Sequence, residues 1–164
     1  MIDINNNTAV VFPGQGSQII GMGADLYEKS SIAKDIFDEV DETLGRKLTD
    51  IVFSGSQEVL NKTENAQPAI TATSLACFSV FKDKFKDFTP SVTAGHSLGE
   101  YTSLSASNAL SVSDTIRLVS ERGRLMQIAC DKNPGGMVAI IGMEIDVVEE
   151  VCREAGAYPG VQLS

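Results

Sequence analysis

The sequence predicts a layered α/β fold. Short apolar, β-compatible runs alternate with longer helical patterns, and each of the first two runs leads into a glycine-rich turn. Composition agrees, because 43% of the 164 residues are hydrophobic and 21% charged, too much apolar material for a disordered chain. A globular chain of this length buries about 68–70% of its unfolded surface, enough for a core without staples.

The first strand is expected over Ala9–Phe12, stopping at Pro13 and the turn Gly14-Gln15-Gly16-Ser17. A helix follows from Leu26 to Leu44, with Ile32, Ile36, Phe37, Val40 and Leu44 at helical spacings and Gly45 as C-cap. An irregular stretch near Ser54 and Gly55 precedes a helix capped by Asn65, with Pro68 in its first turn, running to Phe85. Ser91–Ala94 reads as a second strand, and a helix then continues to Ala109. Ser111 and Asp114 form a capping-box pattern for a helix from Ser113 to Cys130. Asn133-Pro134-Gly135-Gly136 breaks the chain. Beyond it, Met137–Ile141 reads as a strand, Ile145–Ala155 as a helix, and a further extended piece begins at Gly160.

Thirteen Lys and Arg against 22 Asp and Glu leave a formal charge of −9. That balance lacks the basic excess needed on a phosphate backbone, so neither nucleic acid nor an anionic membrane surface is an expected partner. The N-terminus carries an acid and amides where a signal peptide is basic, and no apolar run approaches membrane-spanning length. Cys77, Cys130 and Cys152 form no CxxC pair and leave one over, which indicates no disulfide framework, no metal site and a reducing cytoplasm. Cys77 lies on an apolar helical stripe and reads as core filler. Lys82, Lys84 and Lys86 form a basic cluster at a helix end.

Gly95-His96-Ser97-Leu98-Gly99 is G-x-S-x-G between a strand and a helix, the setting of a nucleophile elbow. Such a turn lifts the Ser97 hydroxyl to the amino end of a helix, where the Leu98 N–H can meet a developing oxyanion. An activated serine needs a base, yet the one histidine is His96, whose side chain leaves the turn in a different direction. Either the base is absent from this chain or Ser97 is not a catalyst here. Arg122 is the second anomaly. Its helical neighbours Leu118, Val119, Leu125 and Met126 are apolar, whereas Arg117 lies among Ser113, Asp114, Ser120 and Glu121. A cation on an apolar stripe requires a carboxylate from elsewhere in the fold or a ligand carboxylate, unless its stem snorkels the charge out to water.

Three segments carry a family resemblance: Val11-Phe12-Pro13-Gly14-Gln15-Gly16-Ser17-Gln18, Gly95-His96-Ser97-Leu98-Gly99-Glu100-Tyr101, and Glu121-Arg122-Gly123-Arg124-Leu125-Met126-Gln127. In that order they resemble the N-terminal signatures of malonyl-CoA:acyl carrier protein transacylases of fatty acid synthesis. The resemblance implies a hydrolase-like parallel-sheet core over residues 1–132, and over residues 135–164 the start of an inserted ferredoxin-like subdomain. It implies Ser97 as the malonyl-accepting nucleophile, Gln15 and Leu98 as backbone donors of the oxyanion hole, and Arg122 as the holder of the malonyl carboxylate. Malonyl-CoA and acyl carrier protein are then the partners, and no cofactor is needed.

The family's catalytic histidine lies further along than residue 164, so the chain resembles an N-terminal half whose C-terminal half is a further partner. Loss of such a base costs on the order of 10⁶ in turnover. The isolated chain is therefore expected to be nearly inactive, and aggregation-prone or dimeric through an uncovered sheet edge. Two other readings share some of these features: a serine esterase or thioesterase, and a non-catalytic fragment that binds a carrier protein.

Overall fold

The computed structural model describes residues 8–132 and 140–156. The chain divides into two compact units, Met1–Lys132 and Asn133–Ser164. In the first, β1 (Ala9–Phe12) is followed by α1 (Ala24–Lys29), α2 (Ser31–Leu44), α3 (Leu48–Ser54), α4 (Gln57–Asn61) and α5 (Thr63–Lys84). Then come β2 (Val92–Gly95), α6 (Leu98–Ala106) and α7 (Val112–Lys132), while the second unit holds α8 (Ile145–Ala155). The mixed α/β class expected from the alternating pattern is the class observed.

β1 and β2 pair in parallel, with Ala9 opposite Val92 and Phe12 opposite Gly95. Parallel neighbours need a long crossover, and α1 to α5 supply it. The register has a consequence for function. It brings the carboxyl ends of both strands side by side, so the Gly14–Ser17 turn and the Gly95–Gly99 turn leave the sheet at the same end, where α/β folds place ligands.

The core lies between the helices. Phe37 and Val40 of α2, Leu48 and Val52 of α3, Leu60 of α4, Ile116 and Val119 of α7 and Leu98 of α6 close around α5. Residues Asn65 to Ala72 of α5 are buried without interruption, and its alanines at 66, 69, 72 and 76 let neighbouring helices approach closely. Helix α7 comes nearest at Gly123, where a Cβ would lie 2.7 Å from the Thr63 carbonyl. That contact sets Arg122, one residue earlier, against the first turns of α5.

Several elements differ from the sequence expectation. The single helix over 26–44 is two, because Ser30 is extended (φ −134°, ψ 120°) and uses its hydroxyl to cap α2 at the Ala33 N–H. The stretch read as irregular contains α3 and α4. Asn65 does not cap α5. The helix begins earlier at Thr63, and Asn65 lies inside the first turn donating its amide to the Val59 carbonyl at 2.9 Å. Pro68 consequently sits beyond the first turn, and the Glu64 carbonyl opposite it takes a long 3.5 Å hydrogen bond from Arg46.

The helix expected to reach Ala109 ends at Ala106, with Asn108 left-handed at φ 61°. Half of the expected capping box is present, the Asp114 N–H donating to Ser111 Oγ at 3.0 Å. The expected break at 133–136, most of the strand over 137–141 and the extended piece from 160 lie outside the described residues, and Ile140 and Ile141 are not in a strand. α8 has the bounds expected of it.

Candidate active site

Ser97 is the N-cap of α6 and has a left-handed backbone, φ 53° and ψ −98°. A non-glycine residue there costs about 1–3 kcal/mol and persists only where its surroundings over-determine it. The two glycines of the pentapeptide are the surroundings that do so. A Cβ on Gly95 would meet the Gly99 carbonyl carbon at 1.9 Å, and one on Gly99 would meet the Phe12 carbonyl oxygen at 2.3 Å. The turn after β1 fits as closely, for a Cβ on Gly14 would lie 2.8 Å from the His96 carbonyl oxygen. Sheet end, first turn and elbow are thus packed backbone against backbone.

His96 contributes backbone to this packing. Its N–H donates to the Phe12 carbonyl at 3.1 Å, and its own carbonyl accepts from the Gly99 N–H at 2.9 Å. Among the described residues no hydrogen bond joins the His96 ring to Ser97. Leu98 is fully buried by its side chain, and as the first residue of α6 it has an N–H with no intrahelical acceptor.

Arg122 reaches across from α7. Its Nη2 donates to Ser97 Oγ at 2.8 Å, and its Nη1 donates to Gln67 Oε1 at 2.9 Å. The guanidinium carbon lies 5.7 Å from the centre of the Tyr101 ring. Among the described residues no carboxylate pairs with it. The neighbouring acid is already used, since Glu121 is bound by Arg124, whose guanidinium holds that carboxyl below its usual range. Arg117 likewise pairs with Asp114 on its own helix. The stripe around Arg122 is less buried than its composition suggests, with Leu118, Leu125 and Met126 exposed and Arg122 itself half-buried. A cation with no described anion, 2.8 Å from an exposed hydroxyl, has the chemistry to accept a carboxylate beside that hydroxyl.

Gln15, on the turn after β1, joins the same cluster by its side chain. Gln67 Nε2 donates to Gln15 Oε1 at 3.3 Å and to Met126 Sδ at 3.2 Å, and Gln15 Nε2 donates to Thr63 Oγ1 at 3.3 Å. Ser97, Leu98, Gln15 and Arg122 are therefore gathered at one end of the sheet. Neither Gln67 nor Tyr101 is marked for this role by the sequence. A glutamine beside a proline in a helix carries no local flag, and the only available signal was an amide in an otherwise apolar stretch.

Cys77 departs from its reading as core filler. It is exposed and, with Phe78, Phe81 and Val11, lines an apolar cavity of about 600 Å³ between β1 and α5. Partial burial there, and the charge of Asp25, push its thiol above the usual range, which disfavours the reactive thiolate. Neither Ser97 nor Arg122 lines that cavity. Among the described residues no group of three His, Cys, Asp or Glu side chains is placed to hold a metal ion, and no helix is long and apolar enough to cross a membrane.

Comparison with known proteins gives the same motifs a context. The family model described as an acyl transferase domain matches residues 9–163. The chain is 49% identical over 143 residues to the malonyl CoA-acyl carrier protein transacylase of Bacillus subtilis, covering 87% of this chain and 44% of that protein. It is 45% identical over 147 residues to the protein of the same name in Haemophilus influenzae, covering 90% and 47%.

Among solved structures, the acyl carrier protein S-malonyltransferase of Vibrio cholerae superposes with a TM-score of 0.81 at 42% identity, over 92% of this chain and 49% of that one. A malonyl-transacylase in complex with its type II PKS acyl-carrier protein gives 0.81 at 41% identity, over 91% and 48%. The chain spans about half the length of the curated relatives it matches.

Proposed function

The chain belongs to the acyl transferase domain family, and from that membership we propose that the complete protein moves malonyl from coenzyme A to the phosphopantetheine thiol of acyl carrier protein. Ser97 Oγ attacks the thioester carbonyl, the carbonyl oxygen takes the electron pair, and the CoA thiolate leaves as the seryl ester forms. The carrier thiol then collects malonyl by the same steps in reverse. The N–H groups of Leu98 and Gln15 are the donors assigned to the oxyanion, and Arg122 is assigned the malonyl carboxylate. The thioester supplies the activation, so the reaction calls for no cofactor.

The base that takes the Ser97 proton is assigned to the part of the protein matched by the other half of the relatives' length, since the one histidine among the 164 residues is His96. The finer architecture follows from the same reading: a hydrolase-like core over residues 1–132 and the start of a ferredoxin-like subdomain over 135–164, in a cytoplasmic enzyme.

The observation that carries this reading is the Arg122 guanidinium, unpaired by any described carboxylate and hydrogen-bonded to Ser97 Oγ at 2.8 Å. A substrate carboxylate that replaces Ser97 Oγ as the acceptor of Arg122 Nη2 frees the hydroxyl, and a thioester carbonyl one methylene away then lies beside it. An esterase would have no use for such a cation, and a binding fragment would have no use for a strained serine. The test is Arg122→Ala in the complete protein, assayed with malonyl and acetyl donors. Loss of the charged pair, worth about 1.5–3 kcal/mol, lowers the malonyl-to-acetyl ratio of kcat/KM by roughly 10–150-fold. An unchanged ratio would contradict the assignment.

A further inference from the structure

Gln67 is completely buried at 0% exposure, and its amide is oriented by its partners. Arg122 can only donate, so Gln67 Oε1 faces it at 2.9 Å. Nε2 must then turn to acceptors, and it finds Gln15 Oε1 and Met126 Sδ. The result is a chain that starts at the guanidinium: Arg122 Nη1 donates to Gln67 Oε1, Gln67 Nε2 to Gln15 Oε1 and Gln15 Nε2 to Thr63 Oγ1, while Arg122 Nη2 donates the other way, to Ser97 Oγ. With Nη1 held by Gln67, the second nitrogen of the fork points at the nucleophile.

We infer that Gln67 is a neutral clamp, a positioning residue that fixes the Arg122 fork without neutralising its charge and thereby sets the preference for a carboxylated acyl donor. The inference rests on the proposed roles of Ser97 and Arg122. Two alternatives at this position show why an amide is suited to it. A carboxylate would accept the same hydrogen bond but form a buried ion pair, leaving the incoming acid to meet a guanidinium already answered. An apolar side chain would leave Nη1 without an acceptor and release the long side chain to its other rotamers. An amide holds the fork and leaves the positive charge for the substrate. It also ties the fork to Gln15, so the turn that bears one assigned oxyanion donor and the residue that holds the carboxylate share a single anchor.

The test uses the complete protein with malonyl and acetyl thioester donors, comparing wild type, Gln67→Glu, Gln67→Met and Arg122→Ala. Gln67→Glu is expected to raise KM for the malonyl donor at least about tenfold, the change that 1.4 kcal/mol produces, and to lower the malonyl-to-acetyl ratio of kcat/KM accordingly. Gln67→Met, which keeps the volume and loses the hydrogen bonds, should lower the ratio less. A Gln67→Glu protein with the wild-type ratio, or one in which both donors lose equally, overturns the clamp. Should Gln67→Glu fail to fold, Gln67→Met decides, because a wild-type ratio there contradicts the inference. Arg122→Ala separates the two levels: if it too keeps the wild-type ratio, the assignment of Arg122 is what fails.

Discussion

Ser97 holds its left-handed backbone because the two glycines around it leave no room for any other path. The expected cost of adding one methyl group differs sharply between glycines. Gly95→Ala drives a Cβ to 1.9 Å from backbone and should destabilise by about 4 kcal/mol or more. Gly45→Ala, left-handed at φ 61° with nothing nearby, should cost about 1 kcal/mol. Urea denaturation of both variants checks this, and equal costs would contradict the packed elbow. The sequence made Ser97 legible through its pentapeptide, and Arg122 through the apolar residues at helical spacing around it. Gln67 was hidden, because what distinguishes it is a contact with a residue on α7, which no local pattern encodes.

The helices show a similar division. Ser30 and Asp41 both cap helices, but from different distances. Ser30 caps the helix that follows it directly, a break the sequence hides because the apolar period runs on through Ile32 and Ile36. Asp41 belongs to α2 and caps α3 from outside, accepting from the Leu48 N–H at 2.8 Å, the Thr49 N–H at 3.1 Å and the Thr49 hydroxyl at 2.6 Å.

Asp41 is 5% exposed, so Asp41→Ala leaves the Thr49 N–H and hydroxyl buried without this acceptor and the Leu48 N–H with the Arg46 carbonyl alone. The substitution should cost about 3 kcal/mol, read by chemical denaturation, and a loss under about 0.5 kcal/mol would show that α3 does not depend on it. α3 and α4 leave no pattern in the sequence, because helices of 7 and 5 residues have too few turns to display a period. Long helices are legible: the apolar pattern places α5 and α7 within about three residues of their observed ends.

At the scale of the molecule, the parallel register of β1 and β2 turns two separate sequence motifs into one site. The α/β class and the motif order could be read in advance, since alternation and glycine punctuation are local properties. The pairing itself joins residues on either side of five helices, and only the fold brings them together. The chain accounts for about half the length of its curated relatives, and the chemistry proposed for the complete protein needs a base that these 164 residues do not supply. The most direct measurement is intact-mass and peptide analysis of the complete protein after brief exposure to malonyl-CoA. The expected result is one malonyl group, ester-linked to Ser97 and absent from Ser97→Ala. A malonyl group that persists in Ser97→Ala, or maps to another residue such as Cys77, would contradict it.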